Sequence, residues 1–129
     1  MTITAIYAAL LGLLLVLLSL RVIGFRRRNH ISLGHAGSDS LERRVRAHGN
    51  LAEYAPIALI LMGLLETKSV SPLLLHGLGA SLVAGRLLHG WALSFSRGNA
   101  FARVVGMALT LGVIITAAVV LLIGSQLGG

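Results

Sequence analysis

The sequence predicts an all-α integral membrane protein, a four-helix bundle in one domain covering residues 1–129. Three observations predict it. Hydrophobic residues make up 56% of the chain and charged residues 12%, and the mean hydropathy is +0.89, too apolar for an ordinary soluble domain of this length. Four apolar segments, residues 3–25, 45–66, 72–94 and 101–124, each approach the roughly 20 residues that cross a hydrocarbon core about 30 Å thick. The connections between them are short, so any chemistry must be built from the helices themselves. One such unit has a thin core, which predicts a homo-oligomer.

The first helix, 3–25, has no basic residue ahead of its apolar run and Arg26-Arg27-Arg28 behind it. That is the reverse of a secretory leader, so the segment is expected to remain as a span. Residues 29–40 carry the glycines and small polar residues of a loop. The second helix, 41–66, takes Asp39 or Ser40 as its cap, with Glu42 in the first turn where the helix dipole favours an acid. Pro56 inside it removes a hydrogen bond to the Ala52 carbonyl, which predicts either a kink turning polar residues toward a cavity or a purely structural bend. Ser71-Pro72 opens the third helix, 72–94, Ser96-Arg97-Gly98-Asn99 makes the last turn, and the fourth helix runs over 100–124. Gly77, Ser81 and Gly85 on the third helix, and Ala108, Gly112 and Thr116 on the fourth, are small residues at four-residue spacing. They are expected to be the faces of close helix packing.

Charge sets the expected orientation. The connection from residue 26 to 44 carries five arginines, the third connection carries Arg97 and borders Arg103, and the second carries only Lys68. The positive-inside rule then places the first and third connections in the cytoplasm and both termini on the other side. The formal net charge of +7 follows from this bias and points to anionic membrane lipid around Arg26 to Arg28, with no nucleic-acid partner.

Ionisable side chains inside an apolar segment are costly and mark function or internal pairing. Arg43, Arg46, Asn50 and Glu53 fall in one narrow stripe of the second helix, with Glu42 at its edge, while His48 points away. Guanidinium donors, an amide and a carboxylate together suit a zwitterionic ligand bearing carboxylates and an amine. An internal ion-pair and capping network between helices uses the same residues, and spacing leaves both readings open. Arg86 and His89, one turn apart on the third helix, and Arg103 at the start of the fourth are expected at the same depth. For Arg86 the alternative is snorkelling to the headgroups.

Other chemistries find no support. Cysteine is absent, which excludes disulfides, thiolate metal sites and a protein thiol nucleophile, so sulfur chemistry must come from a ligand. His30, His35, His48, His76 and His89 show no metal-ligand spacing, so no metal is expected. The only aspartate is Asp39 and there is no nucleophile elbow, which argues against a serine hydrolase. A polar pathway across the bilayer is also absent, because polar residues fade between Glu53 and Glu66.

Arg46-Ala47-His48-Gly49-Asn50, followed by Glu53 and Pro56, resembles the R-x-H-x-N-x-x-E-x-x-P signature of the MAPEG family, membrane-associated proteins in eicosanoid and glutathione metabolism. The basic first connection, Gly85-Arg86-Leu87-Leu88-His89 and Arg103 fall where that family has counterparts, so the resemblance covers essentially the whole chain. It is similar to the small bacterial members, which implies an inner-membrane location. The resemblance further implies a homotrimer binding glutathione as co-substrate between neighbouring subunits, toward the cytoplasmic side. Arg46, Asn50 and Glu53 would hold the tripeptide, His48 would lie nearby, and Arg86 and His89 would line the same pocket. Arg103 matches the arginine that stabilises the thiolate, and Arg26, in preference to Arg21, matches the arginine at the end of the first helix. The implied activity is transfer of the thiolate to a lipophilic electrophile or hydroperoxide. The alternative is a non-enzymatic protein that binds glutathione or an anionic lipid. Two departures bear on catalysis: Leu93 and Val104 stand where some members place a tyrosine and a serine.

Overall fold

The structure, a computed structural model, describes residues 1–95 and 99–128; Ser96, Arg97 and Gly98 of the expected last turn, and Gly129, lie outside the described residues. Its helices are α1 (Thr2–Asn29), α2 (Asp39–Thr67), α3 (Pro72–Phe95) and α4 (Ala100–Leu127). Helices α2 and α3 form the centre, and α1 and α4 flank them, each packing on both; α1 and α4 do not touch among the described residues. Even α3, with 24 residues, extends about 36 Å. Helices α1 and α4 are long and apolar enough to cross a membrane by length and composition. The apolar runs of α2 and α3 are interrupted by the polar residues that form the site below.

The helices outrun their apolar segments because their ends are satisfied by polar groups. Helix α1 continues through Arg26, Arg27 and Arg28, cations favoured in a last turn. It stops where His30 adopts a left-handed φ of 55° and the Ile31 N–H donates to the Arg26 carbonyl at 3.0 Å. Ser38, and neither Asp39 nor Ser40, caps α2: its hydroxyl accepts from the Leu41 N–H at 3.3 Å. The left-handed Gly37, φ 74°, completes the turn one residue earlier than the cap pattern suggests, which leaves Asp39 beside Glu42 in the first turn. Helix α2 then runs continuously to Thr67 through Pro56, which lines a narrow apolar groove of about 150 Å³ against α1, apart from the polar stripe.

At the far end α1 has no capping side chain of its own. Glu66 from the last turn of α2 supplies one, accepting from the N–H groups of Ile3 and Thr4 at 2.8 Å each. Beside it, the Tyr7 hydroxyl lies 2.8 Å from His76 Nδ1 and 3.2 Å from the His76 carbonyl oxygen. The Tyr7 ring covers Gly79 so closely that a Cβ there would overlap it. These contacts fasten α1 to α2 and α3 at the end opposite the arginines.

Between the ends the core is aliphatic, with Leu11 and Leu18 of α1 against Leu51, Ala55, Ala58 and Met62 of α2 and Leu75, Leu78 and Leu82 of α3. The tightest crossing is between α3 and α4. A Cβ on Gly106 would stand 2.6 Å from the Gly85 carbonyl oxygen, and one on Gly85 would stand 2.8 Å from that of Gly106. Within the chain, the small-residue expectation is met at Gly85, whereas α4 packs on α3 through a different face. Gly106, Thr110, Val113 and Ala117 form its buried face, while Ala108, Gly112 and Thr116 are exposed. Gly77 is exposed as well. Spacing identifies a face of small residues without saying which of two such faces on one helix turns inward.

Candidate functional site

Arg86 is the centre of the polar cluster. On α3 it is 2% exposed, so it does not snorkel to the headgroups. Nη1 donates to the Asn50 side-chain oxygen and, at 3.4 Å, to the Asn50 carbonyl; Nη2 lies 3.3 Å from Met107 Sδ on α4. One guanidinium thus joins α2, α3 and the second turn of α4. Its Nε is buried with no hydrogen-bond partner among the described residues. A buried cation held only by neutral acceptors is incompletely compensated, since desolvating an ion costs several kcal/mol and neutral hydrogen bonds return only part of that. The position favours an anion.

Around Arg86 the positive charges accumulate. His89, one turn on and 6% exposed, has Arg86, Arg103 and Arg46 as its charged neighbours. Its Cβ and backbone N press against Gly106, so the α3–α4 crossing fixes the position of His89 relative to α4. Arg103 lies in the first turns of α4, where Asn99 caps the helix by accepting from the Ala102 N–H at 3.1 Å. His89, Arg103, Val104 and Met107 line one cleft of about 390 Å³. A second apolar groove, of about 380 Å³, shares Ala108 with it and continues along α3 and α4 past Ser81 to Gly112 and Thr116.

The α2 stripe divides its work. Asn50 turns inward to Arg86, while Arg46 and Glu53 pair with each other at 3.5 Å across Gly49, their side chains 53% and 55% exposed. Gly49 leaves room for that pair, since a Cβ there would meet Arg46 Nη1 at 3.3 Å. Arg43 bonds within its own helix, Nε donating to the Asp39 carbonyl at 3.4 Å. The stripe thus shows an internal hydrogen bond at Asn50 and an exposed ion pair between Arg46 and Glu53.

The structure therefore brings together Arg46, Asn50, Glu53, Arg86, His89 and Arg103. It does not bring Arg26 to them. Arg26 lies at the end of α1, where its Nη1 donates to the Gly34 carbonyl at 2.7 Å and shapes the first connection. His48 is half-buried and makes no side-chain hydrogen bond among the described residues. Leu93 is buried in the aliphatic core, whereas Val104 is exposed on the cleft. Met107 was not a candidate from sequence. A lone methionine on an apolar helix carries no signal until its sulfur is seen against Arg86.

A basic cluster set between long apolar helices, with a signature running from Arg46 to Pro56, defines a class of small membrane proteins. The chain belongs to the MAPEG family, whose sequence profile matches residues 4–123. It is similar to "Inner membrane protein YecN" of Escherichia coli strain K12, with 38% identity over 87 residues, which is 67% of this chain and 66% of that protein. The protein of the same name from Escherichia coli O6:H1 strain CFT073 matches to the same extent. The match thus spans slightly less than two thirds of these curated relatives' own length.

Proposed function

We propose that the protein is a homotrimeric enzyme of the bacterial inner membrane that transfers the thiolate of glutathione to lipophilic electrophiles or hydroperoxides. The observation that carries this reading is the buried, incompletely compensated Arg86 among Arg46, His89 and Arg103. A ligand with two carboxylates, an amine and an ionisable thiol meets those cations and Glu53 with opposite charges. The exposed side of the Arg46–Glu53 pair is a surface on which a neighbouring subunit completes the pocket. In such a trimer Arg26 would be supplied by the neighbour. The second groove along α3 and α4 offers an apolar route from the bilayer to Arg103.

In this mechanism Arg46, Asn50, Glu53 and Arg86 bind and orient the tripeptide, and Arg103 holds the sulfur as thiolate. With an electrophilic carbon, the sulfur forms the new bond and the leaving group departs with the electron pair of the bond it gives up. With a hydroperoxide, the sulfur attacks the outer oxygen, the O–O bond breaks to release the alcohol after protonation, and a second glutathione thiol displaces water from the resulting sulfenic acid to give the disulfide. Lowering a thiol pKa from about 8.5 by about two units requires about 2.7 kcal/mol. A charge-assisted hydrogen bond away from bulk water supplies roughly that much. Among the described residues lining the cleft, Arg103 carries the permanent positive charge for this.

The test is glutathione titration of the purified protein, following the ultraviolet absorbance of the bound thiolate. Arg103→Ala should keep much of the affinity at low pH, where the thiol is neutral, and lose both the thiolate signal and most conjugation of an aryl halide. Arg103→Lys should rescue in part, since it keeps the charge without the planar fork of donors. Retention of signal and turnover in Arg103→Ala would refute the mechanism. Wild-type binding without a thiolate would favour a non-enzymatic binder.

A further inference from the structure

A second basic cluster, separate from the Arg86 site, lies where the end of α1 meets the start of α2 and the end of α3. Arg21 Cζ stands 3.7 Å from the centre of the Phe95 ring, and Arg44 Cζ stands 4.9 Å from that of Phe25. Each stack fixes the plane of a guanidinium and leaves its N–H edge free to donate. Arg21 Nε is buried with no hydrogen-bond partner among the described residues, and Arg44 Nε has only the Ser40 hydroxyl, at 3.4 Å. The charges acting on Arg21 are Arg44 and Arg28, and those acting on Arg44 are Arg28 and Arg43. All have the same sign.

The chain's own acids do not offset this. Glu53 pairs with Arg46, Glu66 caps α1 at the opposite end, and Asp39 and Glu42 are exposed with no ion pair among the described residues. Repulsion between cations fixed by stacking persists unless an anion enters. We infer that Arg21, Arg28 and Arg44 form a binding site for the phosphate of an anionic phospholipid in the leaflet that the first connection faces. A phosphodiester presents oxygens that planar guanidinium forks engage in pairs.

The surroundings select a lipid over free phosphate. Phe25, Phe95 and the half-exposed Trp91 form an aromatic fringe of the kind found at headgroup depth. Leu17, one turn deeper than Arg21 on the same face of α1, is 53% exposed, and Leu20 is 59% exposed. They offer an apolar surface along which acyl chains can lie.

The experiment uses the full chain in a neutral maltoside detergent, with phosphatidylglycerol, phosphatidylcholine and inorganic phosphate as probes and thermal unfolding and native mass spectrometry as readouts. Phosphatidylglycerol should bind and raise the wild-type melting temperature, and phosphatidylcholine and inorganic phosphate should not. Removing one arginine should weaken phosphatidylglycerol binding about fivefold. Arg44→Gln, at a half-exposed position that tolerates change, should unfold at a higher temperature than wild type without lipid, because repulsion is relieved, and should gain less from phosphatidylglycerol. Arg21→Gln should lose affinity likewise, whereas Arg27→Gln, outside the cluster, should alter it less than twofold. Equal binding of phosphatidylglycerol by wild type and Arg44→Gln would overturn the assignment. So would equal stabilisation by the two lipids, or saturation by inorganic phosphate alone.

Discussion

Replacing Gly106 with alanine should destabilise the protein and impair the cluster together, because one close contact serves both. The new Cβ would lie 2.6 Å from the Gly85 carbonyl oxygen, 2.8 Å from His89 Cβ and 2.9 Å from the His89 nitrogen. Two of these atoms are backbone on a helix that cannot yield locally, so α3 and α4 must separate by roughly 1 Å to restore contacts of about 3.5 Å. Overpacking of this kind costs about 1–3 kcal/mol, and contact with rigid backbone places this site at the upper end. Alanine's better helix propensity returns at most about 1 kcal/mol. The net loss is about 2 kcal/mol. Separation also carries Arg103 and Met107 away from His89 and Arg86, so glutathione affinity should fall.

Gly112→Ala provides the control on the same helix, since a Cβ there meets nothing within 4 Å. Denaturant unfolding in detergent should show Gly106→Ala about 2 kcal/mol less stable and Gly112→Ala within about 0.5 kcal/mol of wild type. Equal stability of the two variants would refute the argument that the Gly85–Gly106 crossing sets the helix separation.

Three further outcomes follow from the arrangement. Arg46→Ala or Glu53→Ala should weaken glutathione binding at least tenfold, because each leaves a ligand charge unpaired, a loss of roughly 2–5 kcal/mol; the measurement is titration of variants that migrate as the wild-type oligomer, and unchanged affinity rejects the assigned site. Glu66→Ala should lower stability by about 0.5–2 kcal/mol through loss of the α1 cap, and Glu66→Gln by less, since the amide oxygen still accepts; equal melting temperatures for wild type and Glu66→Ala would exclude the cap. A reporter fused after Gly129 should show the non-cytoplasmic side, because the arginine-rich connections stay inside and the expected number of spans is even; cytoplasmic activity would overturn the topology.

What the sequence made legible follows the range of the interactions. Helix number and type were readable because each helix is specified by its own apolar run, and the Arg46–Glu53 signature because its residues share one face of one helix. The ends were read less well. The Ser38 cap depends on the left-handed turn at Gly37, and the capping of α1 by Glu66 joins residues more than sixty apart in the chain. Such contacts leave no periodic trace. Which small-residue face of α4 packs on α3 within the chain was not legible, because its two such faces look alike and the carbonyl of Gly85 distinguishes them.

The same reasoning explains why buried and ring-stacked arginines in this chain have different consequences. Arg86 is buried at the centre of three helices, where a neutral amide and a sulfur are its partners and the next available counter-charge must come from a ligand. Arg21 and Arg44 are placed at the rim by stacking on phenylalanines, where the nearest abundant anion is the membrane surface. Sequence counts both as basic residues near the ends of apolar segments. Their surroundings separate the pocket proposed for a soluble zwitterion from the rim proposed for lipid, so perturbing one should leave the other's ligand bound. Arg44→Gln should therefore retain wild-type glutathione affinity while losing its preference for phosphatidylglycerol, and simultaneous loss of both would show that the clusters form one site.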